Sequence, residues 1–151
     1  MSAKAKKQSP QGEFRALTQF EKLPPNHATF LVDDDSSEPH LRKSEYAVID
    51  TSDREPAHGE LYLVQFSEHS RRYIKQLKRD YLNITGQGAE LSEVWWVCEL
   101  RGFRKTTERS HGVPIFAGLS EGPYQTANVG KILTGRVVGY ATRSDTRQRD
   151  D

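Results

Sequence analysis

Two residues in this chain have the types and surroundings that nucleophilic chemistry needs. Ser36 lies in the run Val32-Asp33-Asp34-Asp35-Ser36-Ser37-Glu38-Pro39, and Lys75 lies further on, in Tyr73-Ile74-Lys75-Gln76-Leu77. A serine hydroxyl is a weak nucleophile until a neighbouring base takes its proton. A lysine serves as that base only as the neutral amine, which requires desolvation or another influence that disfavours the charge. Tyr73, Ile74 and Leu77 supply an apolar setting for Lys75 on an expected strand. Each residue also has a plain reading. Ser36 suits a turn among acids and a proline, and Lys75 suits a strand lysine with its head in water.

The order of motifs around the pair adds information. After the Ser36 run come Tyr46-Ala47-Val48-Ile49-Asp50, then the turn Arg54-Glu55-Pro56-Ala57-His58-Gly59-Glu60, then Leu61-Tyr62-Leu63-Val64. The lysine strand follows, and Ile132-Leu133-Thr134-Gly135-Arg136-Val137-Val138-Gly139-Tyr140 stands near the end. This succession, from about Ala28 to Thr142, resembles the LexA-like and UmuD-like serine peptidases, which share a β-fold with signal peptidases. The resemblance implies a mainly β, LexA/signal-peptidase-like fold. It also implies a Ser–Lys dyad with Ser36 as nucleophile and Lys75 as general base.

Three positions depart from the family pattern. Asp34 stands where the family has glycine, Ser37 where it has methionine, and Ser44-Glu45 where it has a Gly-Asp turn. Glycine is retained where the backbone needs a positive φ or a close approach, and Asp tolerates that region better than most residues. Asp33 and Asp35 add negative charge beside the serine, and nearby carboxylates favour a charged amine. The family's usual Ala-Gly or Cys-Gly cleavage site is absent from residues 1–35, and so is a helix-turn-helix. One Ala-Gly pair occurs later, at Ala117-Gly118.

The elements that would position the pair follow from periodicity and punctuation. Residues 1–12 are basic and polar and read as a disordered tail. Glu13 to Lys22 reads as a short N-terminal helix, with Phe14, Leu17 and Phe20 at helical spacing and Pro24-Pro25 ending it. Short apolar runs bounded by turn residues predict strands at Thr29–Val32, Tyr46–Ile49 and Leu61–Phe66. Arg71–Leu77 and Tyr81–Thr85 read as two further strands. Val94–Leu100 is the most apolar stretch and reads as a core strand, with Trp95 and Trp96 on opposite faces. Arg101 to Tyr124 is rich in Gly, Pro and charge, and reads as an insertion or a mobile loop. Ile132 to Ala141 closes a single domain spanning 13–142, and 143–151 reads as a polar tail.

Composition sets outer limits. The chain has 151 residues, enough for one domain, and a net charge of +1 that provides no global steering towards nucleic acid. The single cysteine, Cys98, rules out an intrachain disulfide and suits a reducing cytoplasmic setting. No apolar run reaches the length of a membrane span. Asp33, Asp34, Asp35 and Glu38 lack the spacing of a calcium loop, and the five histidines lack metal-ligand spacing with Cys98, so no metal or cofactor is expected. His40 and His58 fall in turns and are expected to be solvated.

The partner expectations are modest. The resemblance implies a homodimer formed through the C-terminal strand, Ile132 to Tyr140. Lys4, Lys6 and Lys7 give a small non-specific footprint for nucleic acid, and Arg101, Arg104, Lys105 and Arg109 around Phe103 form a basic loop. Three functions fit the sequence: a Ser–Lys peptidase or peptidase-like regulator, a non-catalytic dimerising or partner-binding module of the same fold, and an unrelated β-barrel that binds nucleic acid or a small ligand.

Overall fold

The computed structural model describes residues 17–100, 104–110, 113–117 and 120–142; for 104–110 and 113–117 it describes the backbone alone. In chain order the strands are β1 (Thr18–Gln19), β2 (His27–Leu31), β3 (Tyr46–Asp50), β4 (Leu61–Gln65), β5 (Arg72–Leu82), β6 (Ser92–Cys98), β7 (Arg104–Ser110), β8 (Val113–Ala117) and β9 (Ser120–Gln125). A single helical turn, α1 (Thr126–Val129), and a 3-10 turn lead into β10 (Leu133–Ala141). The protein is mainly β, as the short apolar runs predict.

One curled sheet carries most of the chain, in the order β2-β3-β10-β4-β5-β6-β9, with β1 added beside β10. Every pairing along that path is antiparallel; only β1 runs parallel to its partner. β4 lies near the middle, and its first four residues, Leu61-Tyr62-Leu63-Val64, are all buried. Alternate side chains of a strand point to opposite faces. Leu61 and Leu63 accordingly pack with Val32, Leu41, Ala47, Ile49 and Val137 in one cluster. Tyr62 and Val64 pack with Leu77, Trp95, Val97, Val129 and Leu133 in another. Because β4 feeds both layers, truncating Leu63 to Ala would cost about 2–5 kcal/mol.

β10 alternates buried and half-buried positions along its length. It pairs with β3 from Arg136 to Ala141 and with β4 from Leu133 to Arg136. Gly139 faces β1, where any side chain would collide with the Phe20 ring and the Thr18 carbonyl. Gly135 is similarly closed off by Ile49 and the Asp50 carbonyl. The two glycines of this strand are therefore required by close backbone approach.

Several sequence expectations need correction. The helix expected over 13–22 is not found in its described part, since 13–16 lie outside the described residues and Thr18–Gln19 is a strand. The cause is tertiary: Thr18 and Gln19 register with Gly139 and Tyr140, and Phe20 N–H donates to the Tyr140 carbonyl at 2.8 Å. The two strands expected at Arg71–Leu77 and Tyr81–Thr85 are one long β5, because β6 pairs with it without a break from Gln76 to Leu82. The stretch 101–124 is not featureless. β7 and β8 form their own antiparallel pair, and Ser120–Gln125 joins the main sheet beside β6. β-branched and aromatic residues at Thr106, Thr107, Val113, Ile115 and Phe116 favour strands despite the surrounding charge.

Candidate functional site

The Ser36 loop leaves β2 at Val32 and returns before β3. Its base is tied by Val32 N–H donating to the Glu45 carbonyl at 2.8 Å and Ser44 N–H donating to the Val32 carbonyl at 2.7 Å. Within the loop, Leu41 N–H reaches the Ser37 carbonyl at 3.1 Å. Ser37 and Leu41 are both buried, so they anchor the loop while Ser36 stays exposed. Asp34 contacts the serine twice: its Oδ1 accepts from Ser36 N–H at 3.1 Å and from Ser36 Oγ–H at 2.8 Å. These two hydrogen bonds are the main reason its carboxyl is held below the ordinary carboxylate value, with Arg71 and Lys75 adding smaller attractions.

The loop's backbone conformation differs from what the glycine replacement suggests. Among the described residues, the non-glycine positions with positive φ are Asn26 at 63° and Ser44 at 78°. Asp34 is not among them. Left-handed strain therefore sits at Ser44, in the second replaced turn, and Asp34 takes its place without it. Gly59, in the turn before β4, has φ of 86° and uses the freedom that only glycine has.

Lys75 enters from β5, opposite Tyr62 on β4. Continuing the β5–β6 register one step past Gln76 and Cys98 brings it opposite Glu99. Lys75 Nζ lies 3.7 Å from Glu99 Oε2, with its side chain only 14% exposed. The same ammonium lies 5.2 Å from the centre of the Tyr73 ring. Arg71 stands on that ring as well, at 5.6 Å, and its Nη2 pairs with Asp33 Oδ2 at 3.0 Å.

Ser36 and Lys75 line one cleft of about 360 Å³. Its walls are Phe30, Val32, Phe66, Ile74 and Leu100, and its charged rim is Asp33, Asp34, Arg71, Arg72, Glu99 and Glu121. The two candidate residues thus come to one place, but each has a different partner: Asp34 for the serine and Glu99 for the lysine. Chemically, the cleft combines an exposed hydroxyl, a mostly buried amine and apolar walls of a size to take side chains. No family model matches the chain, and neither the curated proteins nor the solved structures offer a match.

Other sequence candidates have ordinary roles. Trp95 is buried and its Nε1–H donates to Thr126 Oγ1 at 3.0 Å, while half-buried Trp96 points its Nε1–H at Asp80 Oδ2, 3.4 Å away. Cys98 is a buried free thiol, and burial pushes its pKa up. His58 is exposed and its Nδ1 accepts from Arg79 N–H at 3.0 Å, whereas His40 is half-buried rather than solvated. Lys4, Lys6, Lys7, Arg101 and Phe103 lie outside the described residues, as do the side chains of Arg104, Lys105 and Arg109. No helix among the described residues is long and apolar enough to cross a membrane. Sequence reasoning missed Glu99 as the partner of Lys75. Its only available signal was strand register, which places an acid two residues past Val97 opposite the lysine.

Proposed function

We propose that this protein is a LexA-like serine peptidase or peptidase-like regulator, with Ser36 as nucleophile and Lys75 as general base. The observation that supports it is the shared cleft, which is lined by both of these residues distant in sequence. In the reaction, Ser36 Oγ attacks a peptide carbonyl carbon as its proton passes to neutral Lys75 Nζ. The C–N bond then breaks, and Lys75 gives the proton to the departing amine. Water, deprotonated by Lys75, hydrolyses the resulting ester and restores Ser36. Backbone N–H groups at the Ser36 loop would stabilise the oxyanion. The apolar walls would hold an extended peptide and exclude water. The Lys75 side chain is only 14% exposed where it lines the cleft.

A second reading has its own observation. Ser36 donates to Asp34 and Lys75 pairs with Glu99, the arrangement of a non-catalytic module that keeps the fold for dimerisation or partner binding. The family resemblance points to Ile132 to Tyr140 as the segment for such a dimer. β3 and β4 already occupy hydrogen-bonding edges of this strand, so the contact would form through side chains rather than by strand addition.

The test is hydrolysis of an unfolded protein substrate, with intact mass followed in parallel, across roughly pH 7–10, where neutral lysine becomes more populated. Cleavage that disappears in both Ser36→Ala and Lys75→Ala supports the peptidase reading. Cleavage that survives in either, or is absent throughout, favours the binding module.

A further inference from the structure

The contact between Asp34 and Ser36 engages the two donors that acyl transfer at this serine would use. The hydroxyl must give its proton to a base, and the nucleophile's own N–H is the nearest backbone donor for an oxyanion. Asp34 Oδ1 accepts from both groups, the hydroxyl at 2.8 Å and the amide at 3.1 Å. The carboxylate oxygen thus sits on Ser36 much as a substrate carbonyl oxygen would approach the amide. We propose that Asp34 is an inhibitory positioning residue, a latch that holds Ser36 unreactive until its carboxylate moves away. This rests on the Ser–Lys reading above and names the regulation of that site.

Three observations support the latch. A hydrogen bond to an ionised carboxylate is stronger than one between neutral groups, and Asp34 is held in its ionised form by the Ser36 bonds. Lys75 is engaged with Glu99, so the base does not compete for the hydroxyl proton in this arrangement. Arg71 lines the same cleft and already binds the adjacent Asp33, so a guanidinium is at hand to receive the Asp34 carboxylate on release. The latch depends on an acid at position 34 rather than on backbone strain, because Asp34 lies outside the left-handed region.

The test compares full-length wild type, Asp34→Ala and Asp34→Asn for the rate at which a fluorophosphonate probe labels Ser36, located by peptide mass spectrometry. Asn keeps a neutral acceptor at the same place, so it weakens the latch without removing it. The expected result is that Asp34→Ala labels about fivefold faster or more, with Asp34→Asn between it and wild type. Equal or slower labelling of Asp34→Ala, in protein with wild-type circular dichroism, overturns the latch and leaves the Ser–Lys reading standing. If Asp34→Ala does not fold, Asp34→Asn alone must exceed wild type, and an equal rate overturns the proposal. Absence of Ser36 labelling in all three proteins overturns both the latch and the Ser–Lys reading.

Discussion

Lys75 Nζ and Glu99 Oε2 lie 3.7 Å apart in the lining of the cleft, joining β5 to the residue that follows β6. Glu99 is partly exposed, and ion pairs of that kind contribute about 1 kcal/mol or less. Lys75→Met keeps an unbranched side chain of similar length and removes only the charged head that lies over Tyr73 and pairs with Glu99. Its unfolding midpoint in urea is therefore expected to correspond to a stability within about 1 kcal/mol of wild type. A much larger loss would mean that Lys75 has a structural role and would make its activity effects uninformative.

Ser44 has φ of 78°, in a turn where the family resemblance has glycine. A non-glycine residue held there costs about 1 kcal/mol. Ser44→Gly is expected to raise stability by about that amount, checked by chemical denaturation. Unchanged or lower stability would show that the Ser44 side chain compensates for its backbone.

Asp34 titrates below its ordinary range because Ser36 donates to it. A lowered folded value stabilises the protein above the unfolded carboxylate's pKa, and that stability is lost as pH falls through the folded value. Ser36→Ala removes the larger hydrogen bond, so the Asp34 titration observed by carboxyl NMR is expected to move upward. A titration that does not move would mean that the serine hydroxyl does not bond the carboxylate in solution.

Tyr62 is fully buried, and burial pushes its hydroxyl up to about 12; the hydroxyl donates to the Glu55 carbonyl at 2.6 Å. In the unfolded chain a tyrosine ionises near its ordinary value of 10.0. Between those two values the unfolded state loses the proton first, so stability holds below the lower value and falls as pH rises to the upper one. Tyr62→Phe is expected to remove this part of the alkaline decline while costing about 1 kcal/mol at neutral pH. An identical alkaline limb in the variant would assign the decline to other groups.

The strands around the site were legible because their burial is written in runs. Leu61–Val64 is continuously apolar, since β4 is covered on both faces, and Val94–Cys98 is the matching apolar run of β6. Other elements depend on partners far away in the chain. Thr18–Gln19 lies within the helical spacing of Phe14, Leu17 and Phe20, yet Gly139 of β10 admits it as a strand. β9 carries Gly122 and Pro123, which suggest a loop, yet its register with β6 holds it in the sheet. At the site, Ser36 and Lys75 were visible through residue type. Asp34 was visible only as a missing glycine, and Glu99 only once β5 and β6 were paired.

The most direct measurement of the central claim is formation of a phosphonyl adduct at Ser36, in which the Oγ–P bond forms, fluoride leaves and Lys75 accepts the hydroxyl proton. Wild type, Ser36→Ala and Lys75→Met would be treated with the same fluorophosphonate at about pH 9, where the neutral amine is better populated than at neutral pH. The account predicts an adduct on Ser36 in wild type, none in Ser36→Ala, and labelling slowed by about a hundredfold or more in Lys75→Met. Labelling of Ser36 that proceeds equally well without Lys75, or no labelling of wild type at all, would contradict it.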